Sequence, residues 1–351
     1  MTNKKPQHIL AVFFVILTLL GMAACSPETS TQVTPLPGET DIATQSMEET
    51  EPSLTSTPTP DLPVVLLIAG ENADAWTVDR LQAILGELVA DSSLDLVVQE
   101  GLSGESLPQN AQIVVGVNID GDPAGLAASN QGVNFVFIDQ PDAVPGTNLS
   151  EIGDPTIDQQ NQSFMAGYLA AVVSSDYKVA GLIPSDHSLS GVMTDAFVIG
   201  VEFFCGACNP LYPPFQNFPQ WELLPVESAV DGFQPVVDTF VINGVEVLYV
   251  EGHLISPELL TYLADKNIKV VSDRSPDTVR NNWVGTVTTD PGPALIAIWP
   301  DLLAGTGGAQ LPSAVGLTDT DAGLISEGRL RLFEEMADEL EAGLVSPETA
   351  P

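Results

Sequence analysis

Val64-Val65-Leu66-Leu67-Ile68, closed by Gly70 and followed from Asp79 to Ala90 by apolar residues at helical spacing, is the stretch that sets the fold. It reads as a β-α unit whose strand is apolar on both sides. The pattern then recurs. Leu94 to Val98, Ile113 to Val117 and Phe135 to Ile138 are further short strands of buried type, separated by helical or Gly/Pro-bearing stretches. After a helix from Ser163 to Val173, a second series opens at Val179 to Ile183. It continues through a helix at Val192 to Phe204, strands at Val245 to Val250 and Ile268 to Val271, and a helix at Leu259 to Ala264 between them. Helices at Ala294 to Leu303 and Arg329 to Ala342 flank a strand at Ala314 to Leu317. Continuous apolar strands alternating with helices imply a parallel sheet covered on both faces, so two successive open α/β sheets are expected. In such sheets ligands sit at the carboxyl ends of the strands. Those ends supply Asn72, Asp74, Trp76, Asp139, Asp186-His187, Glu251-Gly252-His253 and Asp273-Arg274, which could converge on one cleft between two lobes.

Composition narrows the function. The 351 residues suit two lobes with additions, and the formal net charge of −37, from 47 acidic against 10 basic residues, repels phosphate backbones, so no nucleic-acid partner is expected. Three Cys and three His leave almost nothing for a four-ligand zinc cluster, and no metal and no cofactor are expected.

The first 25 residues read as an export signal: Lys4 and Lys5, an apolar run from Ile9 to Ala24 too short to span a bilayer, and a small-residue site ending at Cys25. Met22-Ala23-Ala24-Cys25 is similar to a bacterial lipobox, which makes Cys25 the expected lipidation site and the chain an extracytoplasmic protein anchored by lipid to the cell membrane. The alternative is a cleavage site that happens to precede a Cys. Residues 26–62 hold 9 Thr, 5 Ser and 6 Pro with no Lys or Arg, which cannot bury a core; they read as a disordered tether with a reach of about 35 Å.

Asn161-Gln162-Ser163-Phe164-Met165-Ala166-Gly167-Tyr168-Leu169-Ala170-Ala171, followed by Lys178-Val179-Ala180-Gly181, resembles the helix and lobe-crossing strand of the basic membrane protein (BMP) family. Its members are purine-nucleoside-receptor-like substrate-binding lipoproteins of ABC importers. The similarity continues in order through Ala196 to Val201, Asn209-Pro210, Gly244 to Leu248, Val270 to Asp273 and Ala294 to Ile296 as far as Gly305. The resemblance implies a type I periplasmic-binding-protein fold, with two open parallel-sheet lobes joined by a hinge crossed more than once. Lobe 1 would take residues 63–175 and about 286–313, lobe 2 residues 176–285 and about 314–347. It also implies a nucleoside-like ligand held by Asp139 and Asp273, with Trp76 stacking on a base, and an ABC permease as partner. The chain departs from the family where Asn72-Ala73-Asp74-Ala75-Trp76-Thr77 lacks a Ser-Phe-Asn core, and where Thr289 stands in place of a Lys.

Each of these residues also has a plainer role. Asp139 and Asp273 could cap helices, Trp76 could be a core aromatic, and Gly252 and His253 could form an ordinary turn. The Asp186-His187 pair lacks a nucleophile in a Gly-x-Ser-x-Gly setting, so the chain is not expected to be an enzyme. Cys205-Gly206-Ala207-Cys208 reads as a local disulfide in preference to free thiols, since export places it in an oxidising compartment. The expected function is capture of a small polar ligand for an importer; the alternative is a ligand sensor that presents its closed state to a membrane signalling receptor.

Overall fold

The computed structural model describes residues 62–71, 73–101, 107–141 and 143–348. The signal segment, Cys25, the tether as far as 61 and Asn72 lie outside the described residues. The first lobe begins with β1 (Val64–Ala69), α1 (Ala75–Ala90), β2 (Asp95–Glu100), β3 (Ala111–Val117), α2 (Pro123–Ser129), β4 (Asn134–Ile138) and β5 (Leu149–Ile152). The second comprises α3 (Pro155–Val173), β6 (Val179–Pro184), α4 (Ser190–Cys205), β7 (Gln220–Leu224), α5 (Val230–Asn243), β8 (Val247–Val250), α6 (Pro257–Asp265), β9 (Lys269–Ser272) and β10 (Trp283–Asp290). The chain then returns to the first lobe for α7 (Gly292–Leu303) and β11 (Gln310–Leu311), and ends in the second with β12 (Ala314–Thr318) and α8 (Glu327–Glu341).

Among the described residues the two sheets have one topology. Their strand orders are β11-β5-β4-β3-β1-β2 and β12-β10-β9-β8-β6-β7. All pairs in the first sheet are parallel; in the second only β12 runs antiparallel, against β10. Strand order reverses between β1 and β3 and again between β6 and β8, the switch points at which open sheets bind ligands.

The apolar runs are continuous because both faces are covered. Val65, Leu67, Val115 and Val136 point into a core under α1 and α7, whereas Leu66, Ile68, Val114, Phe135 and Phe137 point into the opposite core, toward α2. β2 differs from the expected buried strand. It pairs with β1 alone, and as an edge strand it leaves Val97 and Val98 about two-fifths exposed.

Two lobe boundaries differ from expectation. The first lobe was expected to run to residue 175, but α3 fills the second lobe's core, in which Phe164 to Val173 pack with Val179, Phe197 and Tyr249. The chain therefore crosses between lobes at Gly153–Asp154, where Asp154 caps α3 by accepting from Thr156 N at 2.8 Å and Ile157 N at 3.0 Å. Residues 286–290 were expected in the first lobe; they belong to β10 in the second sheet, because Trp283, Val284 and Val287 are buried in that core. A second crossing falls at Pro291, ahead of α7, and a third between β11 and β12.

α3 and α4 cross through two glycines. A Cβ on Gly167 would fall on the Phe197 carbonyl oxygen, and one on Gly200 on the Phe164 carbonyl oxygen, each far inside contact distance. Backbone lies against backbone, so no side chain can rotate away. Gly200→Ala and Gly167→Ala are each expected to destabilise the protein by about 2 kcal/mol or more despite raising helix propensity. Urea unfolding followed by circular dichroism measures this.

Candidate functional site

A cavity of about 470 Å³ opens between the carboxyl ends of the two sheets. Asp74 and Trp76 reach it from the start of α1, Asp139 from the end of β4, Gly252 from the loop after β8 and Asp273 from the end of β9. These are five of the six binding residues expected from sequence, and the sixth, Asn72, is not described. Asp158, Gln159 and Gln162 on the first turns of α3 join them, as do Glu251, His253, Arg274 and Thr286, Thr288 and Thr289 of β10.

These residues differ in how far the protein already occupies them. Asp74 caps α1, accepting from Thr77 N at 2.9 Å and Thr77 Oγ1 at 3.1 Å. Asp273 is held by three donors from three elements: Gly252 N to Oδ1 at 2.6 Å, Gln159 Nε2 to Oδ2 at 2.8 Å and Tyr249 Oη to Oδ2 at 2.8 Å. It ties the β8 loop and α3 to β9. Burial, together with the Glu251 charge, pushes its carboxyl up to about 6. Glu251 is committed in the same way, to His253 N at 2.8 Å and His253 Nδ1 at 2.7 Å, and that contact raises the imidazole above its ordinary value. The His253 and His187 rings face each other at 5.2 Å, while Asp186 turns away to accept from Val226 N at 3.0 Å.

Asp139 is different. It sits at φ 49, a left-handed conformation that Asp tolerates better than most residues, with its N–H donated to the Ile152 carbonyl at 3.1 Å. Its Oδ1, both carboxyl oxygens of Asp158 and Ser313 Oγ are buried without a partner at hydrogen-bond geometry. All three side chains gather at Gly153 (φ 77), where a Cβ would lie 2.5 Å from Asp139 Oδ1, 2.6 Å from Asp158 Oδ2 and 2.6 Å from Ser313 Oγ. Only glycine fits the crossing there, by conformation and by space. Burial first, then the Asp139 charge, pushes the Asp158 carboxyl up to about 8; burial also raises Asp139. Among the described residues no group of three or more His, Cys, Asp or Glu is arranged to hold a metal ion.

Asp158 was not among the residues expected from sequence. The signal was present in Asp158-Gln159-Gln160-Asn161-Gln162, a polar run before an apolar helix, because a helix whose start is polar while its remainder is buried must open onto a wet cavity or the surface. Away from the cleft, Cys205 and Cys208 are joined in a disulfide at the end of α4.

No family model matches the chain, and no curated protein does. Among solved structures, a transcriptional activator of the comK gene from Bacillus halodurans matches 81% of this chain and 100% of its own length, with a TM-score of 0.57 at 14% identity. A solute-binding protein of an ABC transporter system from Aeropyrum pernix K1 matches 81% of this chain and 92% of its own, with a TM-score of 0.53 at 13% identity. At such identities the likeness is one of fold. The chain has the type I periplasmic-binding-protein-like fold, two parallel-sheet α/β lobes crossed three times with a cavity between them.

Two predictions follow from the difference between the carboxylates. Asp273→Ala strands three donors and is expected to cost about 2–4 kcal/mol of stability, whereas Asp139→Asn, which keeps a residue type that tolerates the left-handed backbone and removes a charge opposed by Asp158, leaves stability unchanged or raises it; denaturant titration of the two variants compares them. The second concerns pH. The raised carboxyls of Asp158 and Asp273 stabilise the fold fully only below the unfolded value near 4, and that contribution is lost as pH rises to about 8 and about 6 respectively. His253, raised by Glu251, adds the same sign above its unfolded value. The melting temperature should therefore fall between pH 5 and 8, and Asp158→Asn should make the fall shallower between pH 6 and 8.

Proposed function

We propose that the protein is an extracytoplasmic solute-binding lipoprotein, anchored through Cys25, that captures a small polar, nucleoside-like ligand between its lobes and delivers it to an ABC permease. The observation that carries this reading is the cavity itself. Its volume of about 470 Å³ suits a small molecule, and it lies at the switch-point ends of both sheets, between lobes that the described chain links at three short crossings. Such crossings allow hinge closure, and a ligand that contacts both lobes favours the closed form by its extra contacts there. The resemblance of residues 161–171 and 178–181 to the BMP family supports the importer role and the nucleoside-like ligand, and the apolar run ending at Cys25 supports the anchor. In this reading no bond is made or broken. Thr288 and Thr289 supply hydroxyls from the second lobe, and Trp76, about one-third exposed at the mouth of the cavity, offers an indole for a ring to stack on.

The test is a thermal-shift screen of the purified protein against nucleosides, bases, sugars, amino acids and carboxylates. A ligand at 100 times its Kd should add about 2.7 kcal/mol to stability. A shift with one chemical class, abolished in Asp139→Ala while that variant still melts cooperatively, is the expected result. The absence of a shift with every class would sink the solute-capture reading.

A further inference from the structure

We propose that the ligand of this cavity carries a cationic nitrogen and seats it on the paired carboxyls of Asp139 and Asp158. The inference rests on the reading of the cavity as a solute site and narrows what that solute is. Asp158 lines the cavity from the first turn of α3 and is only 4% exposed, yet neither of its carboxyl oxygens has a partner; Oδ1 of Asp139 has none either. Two adjacent acids at the wall of the cavity thus hold three acceptor oxygens with no donor at hydrogen-bond geometry, and carboxylates accept only. The Ser313 hydroxyl, gathered with them at Gly153, favours the charged form of Asp158 but lies outside hydrogen-bond geometry.

The charges packed around the pair are all of one sign. Asp74 at the start of α1 and Asp154 at the cap of α3 act on it unfavourably, and neither Asp139 nor Asp158 has an ion pair among the described residues. The cations that line the cavity, Arg274 and His253, follow the strands β9 and β8 of the second lobe and make no ion pair with either acid; His253 is already engaged by Glu251. A neutral ligand donating hydroxyls would leave the repulsion between the two acids in place, so one of them would have to stay protonated. An ammonium, guanidinium or protonated ring nitrogen supplies both the donors and the missing charge. It makes charge-assisted hydrogen bonds to the pair and lets both carboxyls ionise.

The proton balance follows. Without ligand the pair retains one proton near neutral pH, because Asp158 loses it only at about 8. When the cation enters, that proton leaves to solvent. Binding therefore releases close to one proton and strengthens by about tenfold per pH unit between pH 6 and 7.5. A neutral ligand that uses the protonated pair would show affinity that is flat or falls over the same range.

The experiment uses matched probes that differ in charge: arginine against citrulline, 5′-amino-5′-deoxyadenosine against adenosine, and glucosamine against glucose. Each is titrated calorimetrically into the full-length protein at pH 6, 7 and 8, in two buffers of different ionisation enthalpy. The expected result is that at least one cationic probe binds at least about tenfold tighter than its neutral partner, with proton release that Asp158→Asn abolishes. Asp158→Asn keeps the side-chain volume and removes the repulsion, so its unchanged or raised melting temperature separates lost binding from lost folding. If neutral probes bind as well as their cationic partners, without proton release, the cationic inference is overturned while solute capture stands. If no probe of either kind binds, the cationic inference falls too, and the wider thermal-shift screen then decides whether solute capture falls with it.

Discussion

The crossing of α3 over α4, backbone on backbone at Gly167 and Gly200, is the constraint on which the cleft depends. It holds α3 in the core of the second lobe, buried from Ser163 to Val173, while its first turns extend back to the crossing at Gly153. Asp158, Gln159 and Gln162 are on those turns. A rigid helix thus brings second-lobe polar groups within reach of Asp139, at the end of a first-lobe strand. Any loosening of the α3–α4 contact would change the depth and polarity of the cavity together.

The cleft divides its acids by task. Asp273, Glu251 and Asp74 are spent on the protein's own N–H and O–H groups, which fixes the loops from which they project. Asp139 and Asp158 are left without donors, in a place where their charges oppose each other. Burying polar groups in that state costs stability. A binding site is where such a cost has a use, since a ligand that supplies the missing donors recovers it as affinity.

Much of the fold was legible because buried strands and amphipathic helices have one-dimensional signatures. Val64 to Ile68 could be read as a two-sided strand from its composition alone. The switch-point rule then placed Asp74, Trp76, Asp139, Gly252 and Asp273 at strand ends, and all five line the one cavity. The elements that escaped lacked such signatures. β5 (Leu149–Ile152) has a Ser and a Glu among its four residues, and α5 carries Pro235 in its interior. β10 mixes Thr with Val and does not stand out from a loop until its partners β9 and β12 are known.

Local sequence determined that there would be two parallel-sheet lobes, and that carboxylates would stand at their strand ends, because hydrophobic periodicity and strand-end position are properties of neighbours along the chain. Which acid is satisfied and which is not was decided only by tertiary structure. Asp139 and Asp273 look alike in sequence, each an Asp closing an apolar strand. One meets Gly252, Gln159 and Tyr249 from three other elements, and the other meets a second carboxyl. The lobe to which α3 belongs was decided in the same way, because a helix apolar on every side can be buried in either core, and the glycines that choose between them act only on a partner far along the chain.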